Sequence, residues 1–179
     1  MEGPLSVICE DSIFVGPEAS LHHVVLYSRK AICVEGARLS STQLLAPRIS
    51  IDSATVATYP SAFVSLAPGG AALQRQSIDL KRGSQLEGFV YLDSPLGDDL
   101  VTVEALARVT GAIYSTARLT LDGTVEGSVV VGDLYFYEAP TMHLGWLRSG
   151  KIDRTALPEG FLVPSVFAGT PSFGILEWL

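Results

Sequence analysis

The chain has 179 residues, enough for one domain with a sizeable core, and 47% of them are apolar against 17% charged. The formal net charge of −7 argues against a nucleic-acid partner and against electrostatic docking on anionic lipid, because both need a basic surface. No apolar run approaches the roughly 18 residues of a membrane-spanning helix. We therefore expect no direct membrane insertion of this chain. The start of the sequence also lacks the basic region of a signal peptide.

The first predicted strand contains Leu5, Val7 and Cys9 on one side. The two cysteines of the chain are too few for a disulfide framework. The alternation directs Cys9 inward and Cys33 outward. We therefore expect two free thiols, which are compatible with a reducing compartment.

Pairs of inward apolar residues then recur along the chain. The first members stand at positions 13, 32, 49, 78, 101 and 119, so the steps are 19, 17, 29, 23 and 18 residues. These first pairs are Ile13/Val15, Ile32/Val34, Ile49/Ile51, Ile78/Leu80, Val101/Val103 and Leu119/Leu121. Second pairs follow about six residues later at Ala19/Leu21, Ala37/Leu39, Ala54/Val56, Ser84/Leu86, Ala107/Val109 and Val125.

The spacing predicts an all-β, single-stranded, three-sided parallel β-helix with about 18 residues per coil and about six to seven coils. One coil cannot bury its own apolar faces, whereas a stack of coils can. The two long steps contain Pro- and Gly-bearing insertions at 66–76 and 93–99. The alternative fold is an antiparallel β-sandwich with evenly spaced strands. It is disfavoured because the tight Asn-Gly hairpin signal is absent and the only Asp-Gly pair, Asp122-Gly123, lies inside the repeat.

A glycine column supports the same fold. Gly88, Gly111 and Gly127 each follow an inward apolar residue by two positions, where a corner requires a small residue. In the earlier coils the equivalent positions hold His23, Ser41 and Thr58.

The repeat weakens after residue 133. We expect residues 134–146 to form a last coil or a short helix, and residues 151–179 to form an irregular capping segment of the same domain. The large apolar residues that would pack it along a side or over the end are Phe161, Val163, Phe167, Phe173 and Trp178.

The glycine-bearing steps, Leu86-Glu87-Gly88, Val109–Ile113 and Val125–Val129, resemble those of the bactofilins, polymer-forming bacterial cytoskeletal proteins. The resemblance covers roughly residues 6 to 133. It implies a right-handed β-helix that assembles end to end without nucleotide and acts as a scaffold, often at a membrane. The sequence then looks like the soluble part of a longer, membrane-anchored bacterial protein. The long apolar C-terminal segment departs from the family pattern and would block one end of a polymer.

No catalytic, cofactor or metal site is predicted. His22 and His23 should point to opposite sides of a strand. A hexapeptide-type acyltransferase, with His22, His23 or His143 as general base, remains the enzymatic alternative. The column Gly16, Glu35, Asp52, Lys81, Glu104 and Asp122 is interpreted as a solvated edge rather than a cation site. Asp98 and Asp99 are interpreted as turn residues.

The sequence thus predicts a non-enzymatic scaffold that acts through self-association or a protein partner. The predicted assembly edge is the strand with Leu5, Val7 and Cys9, since an open strand edge pairs readily with another chain. The alternative is a ligand- or carbohydrate-binding β-helix. For that role the candidate aromatic residues are Phe14, Tyr91 and Tyr114, which form no obvious column. The compartment stays open between a membrane-associated position in the bacterial cytoplasm and the periplasm or cell surface.

Overall fold

The computed structural model describes residues 5–53, 55–66, 75–94, 98–157 and 161. The strands are β1 (Leu5–Cys9), β2 (Ile13–Val15), β3 (Ser20–His22), β4 (Val24–Ser28), β5 (Ala31–Val34), β6 (Arg38–Ser40), β7 (Gln43–Leu45), β8 (Arg48–Ile51), β9 (Val56–Ser65), β10 (Ser77–Leu80), β11 (Gln85–Leu92), β12 (Leu100–Val103), β13 (Arg108–Leu121), β14 (Thr124–Glu138), β15 (Thr141–Leu144) and β16 (Lys151–Ile152), and a 3₁₀ turn, η1, covers Arg154–Ala156. The predicted parallel β-solenoid is confirmed, with about 6 turns and ~19 residues per turn.

Three stacks of parallel strands form the three faces. The first face stacks β2, β5, β8, β10, β12 and the end of β13. The second stacks β3, β6 and the first parts of β9, β11, β13 and β14. The third stacks β1, β4, β7 and the later parts of β9, β11, β13 and β14. Each strand therefore lies over its counterpart one turn away.

The first face is the face that the sequence predicted completely. Ile13, Ile32 and Ile49 lie in register, as do their partners further along the stack. From the second turn to the sixth, both members of every predicted pair are buried. The interior thus consists of columns of like aliphatic residues, which exclude water only because the turns stack.

On the second face, the predicted inward pair Ala54/Val56 is wrong. Ala57, not Val56, lies in register with Leu39 and Leu86 and is fully buried, whereas Val56 is half-buried. Thr55 occupies the neighbouring inward position, and Ala54 lies outside the described residues. The corner after Ile51 has one residue more than the corner after Val34, so the inward positions move by one.

The corner between the second and third faces is built in two ways. Gly88, Gly111 and Gly127 lie in register with φ between 143° and 152°, so strands bend there without ending. Earlier turns bend at the predicted His23 and Ser41, each with φ near +50°. Ser41 lies one residue before the glycine column, because Gln43 pairs with Ala62 and Thr42 donates its N–H to Ser61 Oγ. The predicted Thr58 is wrong, because Ser61 is the residue in register with Gly88 and two additional residues precede it.

The C-terminal end carries a hairpin rather than the alternative of a short helix. β14 adds Asp133 and Leu134 to the first face and then pairs antiparallel with β15. β16 returns to pair with β14 on the second face, and η1 follows it. Phe161 is half-buried. The other predicted capping residues, Val163, Phe167, Phe173 and Trp178, lie outside the described residues.

Both long steps of the repeat lie at the corner between the third and first faces. The chain leaves the third face at Ser65 and at Leu92, and it rejoins the first face at Ser77 and at Leu100. Residues 67–74 and 95–97 of the predicted insertions lie outside the described residues.

The interpretation of Asp99 as a turn residue misses its structural role at this corner. It is buried, and its Oδ1 accepts a hydrogen bond of 2.8 Å from the Gln76 backbone N–H. The Gln76 side chain accepts from Ser65 Oγ at 2.9 Å. Asp99 therefore helps to hold two successive turns together, a role that its place in an insertion did not indicate.

Candidate functional site

The N-terminal edge, defined here as β1 with β2 and β3, is the best-defined open strand edge among the described residues. In the described structure β1 pairs with β4 only, β2 with β5 only and β3 with β6 only. Leu5 and Val7 lie over buried Val24 and Leu26, yet they are 64% and 39% exposed. The predicted residues thus stand where the interior of the solenoid opens to solvent.

The backbone of β1 offers hydrogen-bonding groups at this edge. Leu5 donates its N–H to the His23 carbonyl, and Arg29 donates to the Cys9 carbonyl. Since the polar groups of a strand alternate in direction, Ser6 and Ile8 direct their N–H and C=O groups away from β4. Ile8 is 72% exposed. The edge thus combines unpaired polar groups with apolar side chains.

Charges beside this edge already have partners. Glu10 accepts from Arg29 at 2.9 Å and Asp11 from Lys30 at 3.1 Å. The hydrogen bond from Lys30 lowers the pKa of Asp11, with a smaller contribution from the Ser12 backbone N–H. Exposed ion pairs add little stability. The apolar side chains of the N-terminal edge are therefore a stronger basis for a contact than these charges.

The two cysteines are free and half-buried. Cys9 is in register with the buried Ser28 on the inward side of the third face, while Cys33 lies between Phe14 and Ser50 on the outer side of the first face. The predicted directions are therefore confirmed.

The histidine pair corrects a prediction. The rings of His22 and His23 are not on opposite sides, because their centroids are 4.1 Å apart. The backbone turns at His23, where φ is 53°, and this turn brings the two exposed side chains together. His143 lies separately in the hairpin, 4.9 Å from the Trp146 ring.

A shallow groove of about 600 Å³ lies beside His22 on the outer side of the second face. In register along the turns, Arg38 lies between Ser20 and Val56, and Ser40 lies between His22 and Thr58. The groove presents a guanidinium, an imidazole and hydroxyl groups, which are donors suited to oxygen-rich or anionic ligands. Sequence reasoning missed it because it depends on which outward residues of three turns align.

The predicted charged column is present at the corner after the first face. Each amide of Glu35, Asp52, Lys81, Glu104 and Asp122 donates to a carbonyl of the previous turn at 2.8–2.9 Å. Lys81 Nζ lies 3.7 Å from an Asp52 oxygen. Glu104 and Asp122 accept from the Arg82 backbone N–H and from Ser149 Oγ. Within the described ranges, no three His, Cys, Asp or Glu side chains are grouped to hold a metal ion.

The outer side of the third face is uncharged, and we call it the apolar side. Its first column is Ser6, Val25, Gln43, Ala62, Phe89, Ala112 and Ser128, and its second is Ile8, Tyr27, Leu45, Val64, Tyr91, Tyr114 and Val130. The outer sides of the other faces include charged residues such as Asp79 and Arg108. The apolar side is therefore distinct in character.

The aromatic candidates divide between faces. Phe14 lies on the first face. Tyr91 and Tyr114, which were expected to form no column, stack in register on the apolar side. Burial raises the pKa of Tyr91, and the nearby charge of Asp93 adds to the effect.

Comparison with known proteins gave no family assignment. Searches against protein-family models, curated proteins and solved structures found no match. Separately, the described residues contain no helix with the length and apolar character needed to cross a bilayer.

Proposed function

We propose that this protein is a non-enzymatic scaffold that self-associates through its N-terminal edge. The observation that carries the proposal is the exposure of Leu5, Val7 and Ile8 on a strand that has one partner in the described structure. An exposed, apolar, unpaired edge strand is a template for pairing with another chain. The resemblance of the glycine steps to bactofilins supports the same role.

The product that we propose is a closed dimer formed by contact between two N-terminal edges. A two-fold contact uses the same surface on both copies and stops at two. β1 would then pair antiparallel with β1 of the second copy. The opposite end favours closure over a filament, since β16 covers β14 on the second face there and the β14–β15 hairpin projects from the first.

The test is the mass of the purified chain by light scattering over a range of concentrations. We expect the parent to be dimeric at micromolar concentration and Val7→Lys to be monomeric, because a charge would have to be buried at the contact. Leu106→Lys is the control, since Leu106 is 72% exposed at a corner far from β1. A parent that is monomeric throughout, or equal masses for the parent and Val7→Lys, would refute the proposal. A strict trimer would instead favour the acyltransferase alternative.

A second candidate function is supported by the groove beside His22. His22, Ser40 and Thr58 lie in register on three successive turns, and Arg38 lies on the same strand as Ser40. A row of donors along the rod is a geometry suited to an extended acidic saccharide. Isothermal titration with oligogalacturonate tests this role. Binding that Arg38→Gln abolishes and Arg108→Gln preserves would support it, and absence of heat with the parent would exclude this class of ligand.

A further inference from the structure

The corner between the third and first faces contains a buried carboxylate with a single hydrogen bond. Asp99 is 1% exposed, and its Oδ1 accepts from the Gln76 backbone N–H at 2.8 Å. Among the described residues, no donor reaches its second oxygen, Oδ2. Arg118, whose backbone N–H donates to the Asp99 carbonyl, directs its guanidinium to Asp98 instead, at 3.7 Å. A carboxylate in such a place is costly unless a positive charge compensates for it, because buried charges are normally paired or bound to a metal ion.

The side chains next to Asp99 supply more hydrogen-bond acceptors than donors. Ser65 Oγ lies 2.9 Å from the Pro47 carbonyl and 2.9 Å from Gln76 Oε1. A hydroxyl carries one proton, so only one of these two contacts can be a full hydrogen bond. The other contact brings two oxygens together without a proton between them. Ser65 and Gln76 are both buried.

Reversing the Gln76 amide does not remove the excess of acceptors. In the orientation described, Gln76 Nε2 donates to the Asp93 carbonyl at 3.3 Å. With the two amide atoms exchanged, the nitrogen would donate to Ser65, but the amide oxygen would then face the Asp93 carbonyl. Both orientations leave one oxygen contact without a proton, in addition to Asp99 Oδ2. Buried carboxylate, amide and hydroxyl oxygens without donors are the ligand type that hard cations prefer.

The oxygens of this cluster belong to successive turns of the solenoid. Gln76 and Asp99 directly precede Ser77 and Leu100, which lie in register on the first face. Ser65 ends the strand that leads into the first of the two long connections. An ion bound here would therefore join two turns at the corner where the chain makes its longest excursions.

We propose that this cluster binds a monovalent hard cation such as Na⁺ through Asp99 Oδ2, Gln76 Oε1 and Ser65 Oγ. Charge determines the valence, because one carboxylate balances one positive charge and the other two oxygens are neutral. The cation compensates the buried carboxylate and separates the oxygens that share no proton. The site lies at a different part of the rod from the N-terminal edge, so this proposal and the proposed self-association stand or fall separately.

Thermal unfolding of the full chain tests the site. NaCl is replaced stepwise by tetramethylammonium chloride, which keeps the ionic strength and therefore the screening constant while offering a cation too large for the cluster. An ion that binds only the folded state raises the unfolding midpoint with the logarithm of its concentration. Once Na⁺ exceeds its dissociation constant, we expect the midpoint to rise by about 3–5 °C for each tenfold increase in Na⁺.

Asp99→Asn should abolish this dependence on Na⁺, because the amide carries no charge and can donate to the neighbouring oxygens. Asp98→Asn is the matched control. It removes the adjacent carboxylate, which is 79% exposed, and should keep the full dependence. Val7→Lys should keep it as well. Ser65→Ala removes one oxygen but leaves the carboxylate, so it should require severalfold more Na⁺ for the same rise.

The width of the sodium NMR signal gives a second measurement that does not involve unfolding. We expect the parent and Asp98→Asn to broaden the signal and Asp99→Asn to leave it narrow. Equal midpoints of the parent in the two salts would overturn the proposal. A response to Na⁺ that Asp99→Asn retains in full would overturn it too, because the ion would then act elsewhere on the protein.

Discussion

Tyr91 and Tyr114 occupy the same position in successive turns, and their rings stack with centroids 5.3 Å apart and planes 9° from parallel. The arrangement follows directly from the parallel register, which places each side chain over its counterpart. It also brings two ionisable phenols together, so that each restricts the hydration of the other. Burial is the main cause of the raised pKa of Tyr91, followed by the charges of Asp93 and Tyr114.

The raised pKa predicts a loss of stability at alkaline pH. The folded state holds the Tyr91 proton above pH 10.0, the ordinary value, whereas the unfolded state releases it. The contribution is complete below that pH and is lost as the pH rises through the folded pKa. Urea unfolding at several pH values should show a shallower alkaline decline for Tyr91→Phe than for the parent. Tyr137→Phe, at an exposed tyrosine, is the control, and parallel curves for all three proteins would contradict the prediction.

The glycine column predicts a large effect of one methyl group. A Cβ on Gly127 would overlap the Gly111 carbonyl, and φ is +152°. We expect Gly127→Ala to lower the free energy of unfolding by about 2–4 kcal/mol, measured by urea denaturation. Gly16→Ala is the matched control, since nothing lies within 4 Å of its added Cβ, and it should change stability by less than about 0.5 kcal/mol. Equal effects of the two substitutions would show that the column is not tightly packed.

The positive φ of Leu106 predicts that glycine at this position stabilises the fold. It has φ of +65° at the corner where Gly36 and Gly83 have +63° and +82°. Because a side chain disfavours this conformation, Leu106→Gly should raise the free energy of unfolding by about 1 kcal/mol. Gly83→Ala is the reverse experiment in open space and should lower it by about the same amount. Changes of the same sign in both variants would reject backbone strain as the cause.

The lowered pKa of Asp153 predicts that the protein loses stability in acid. The Thr155 hydroxyl, followed by Lys151 and the Thr155 N–H, lowers its pKa from 3.8 to about 2. The carboxylate therefore contributes stability above pH 3.8, and the contribution is lost as the pH falls toward about 2. Asp153→Asn keeps an oxygen for Thr155 but cannot titrate. Its thermal midpoint should fall less than that of the parent between these pH values, while Asp133→Asn, at an exposed carboxylate, should behave as the parent.

The repeat was predictable because its first face follows simple alternation. Ile32, Ile49 and Ile78 identify the turns in the sequence, and their order in space is the order in the chain. The same logic located Leu5 and Val7 at an end. Alternation is local, so one turn with an unusual corner does not disturb the prediction for the others.

The structure differs from the sequence-based prediction where a corner changes its length or its direction. One additional residue before Thr55 moved Ala57 inward, and φ of 53° at His23 placed its ring beside His22. The Tyr91–Tyr114 stack was missed although each tyrosine follows its column glycine, Gly88 or Gly111, by three residues. Which outward residues align is a property of the whole stack. The groove and the apolar side therefore became visible only in three dimensions.

Because both long steps lie at the corner between the third and first faces, this corner is where the chain tolerates insertions and deletions. Where the chain passes from Ser65 to Ser77 and from Leu92 to Leu100, its length varies while the strands before and after keep their register. Lengthening a connection between two strands costs little, because closure entropy grows only logarithmically with its length. The corner between the third and first faces can thus gain or lose residues, or accept an inserted peptide, while the three stacked faces keep their structure.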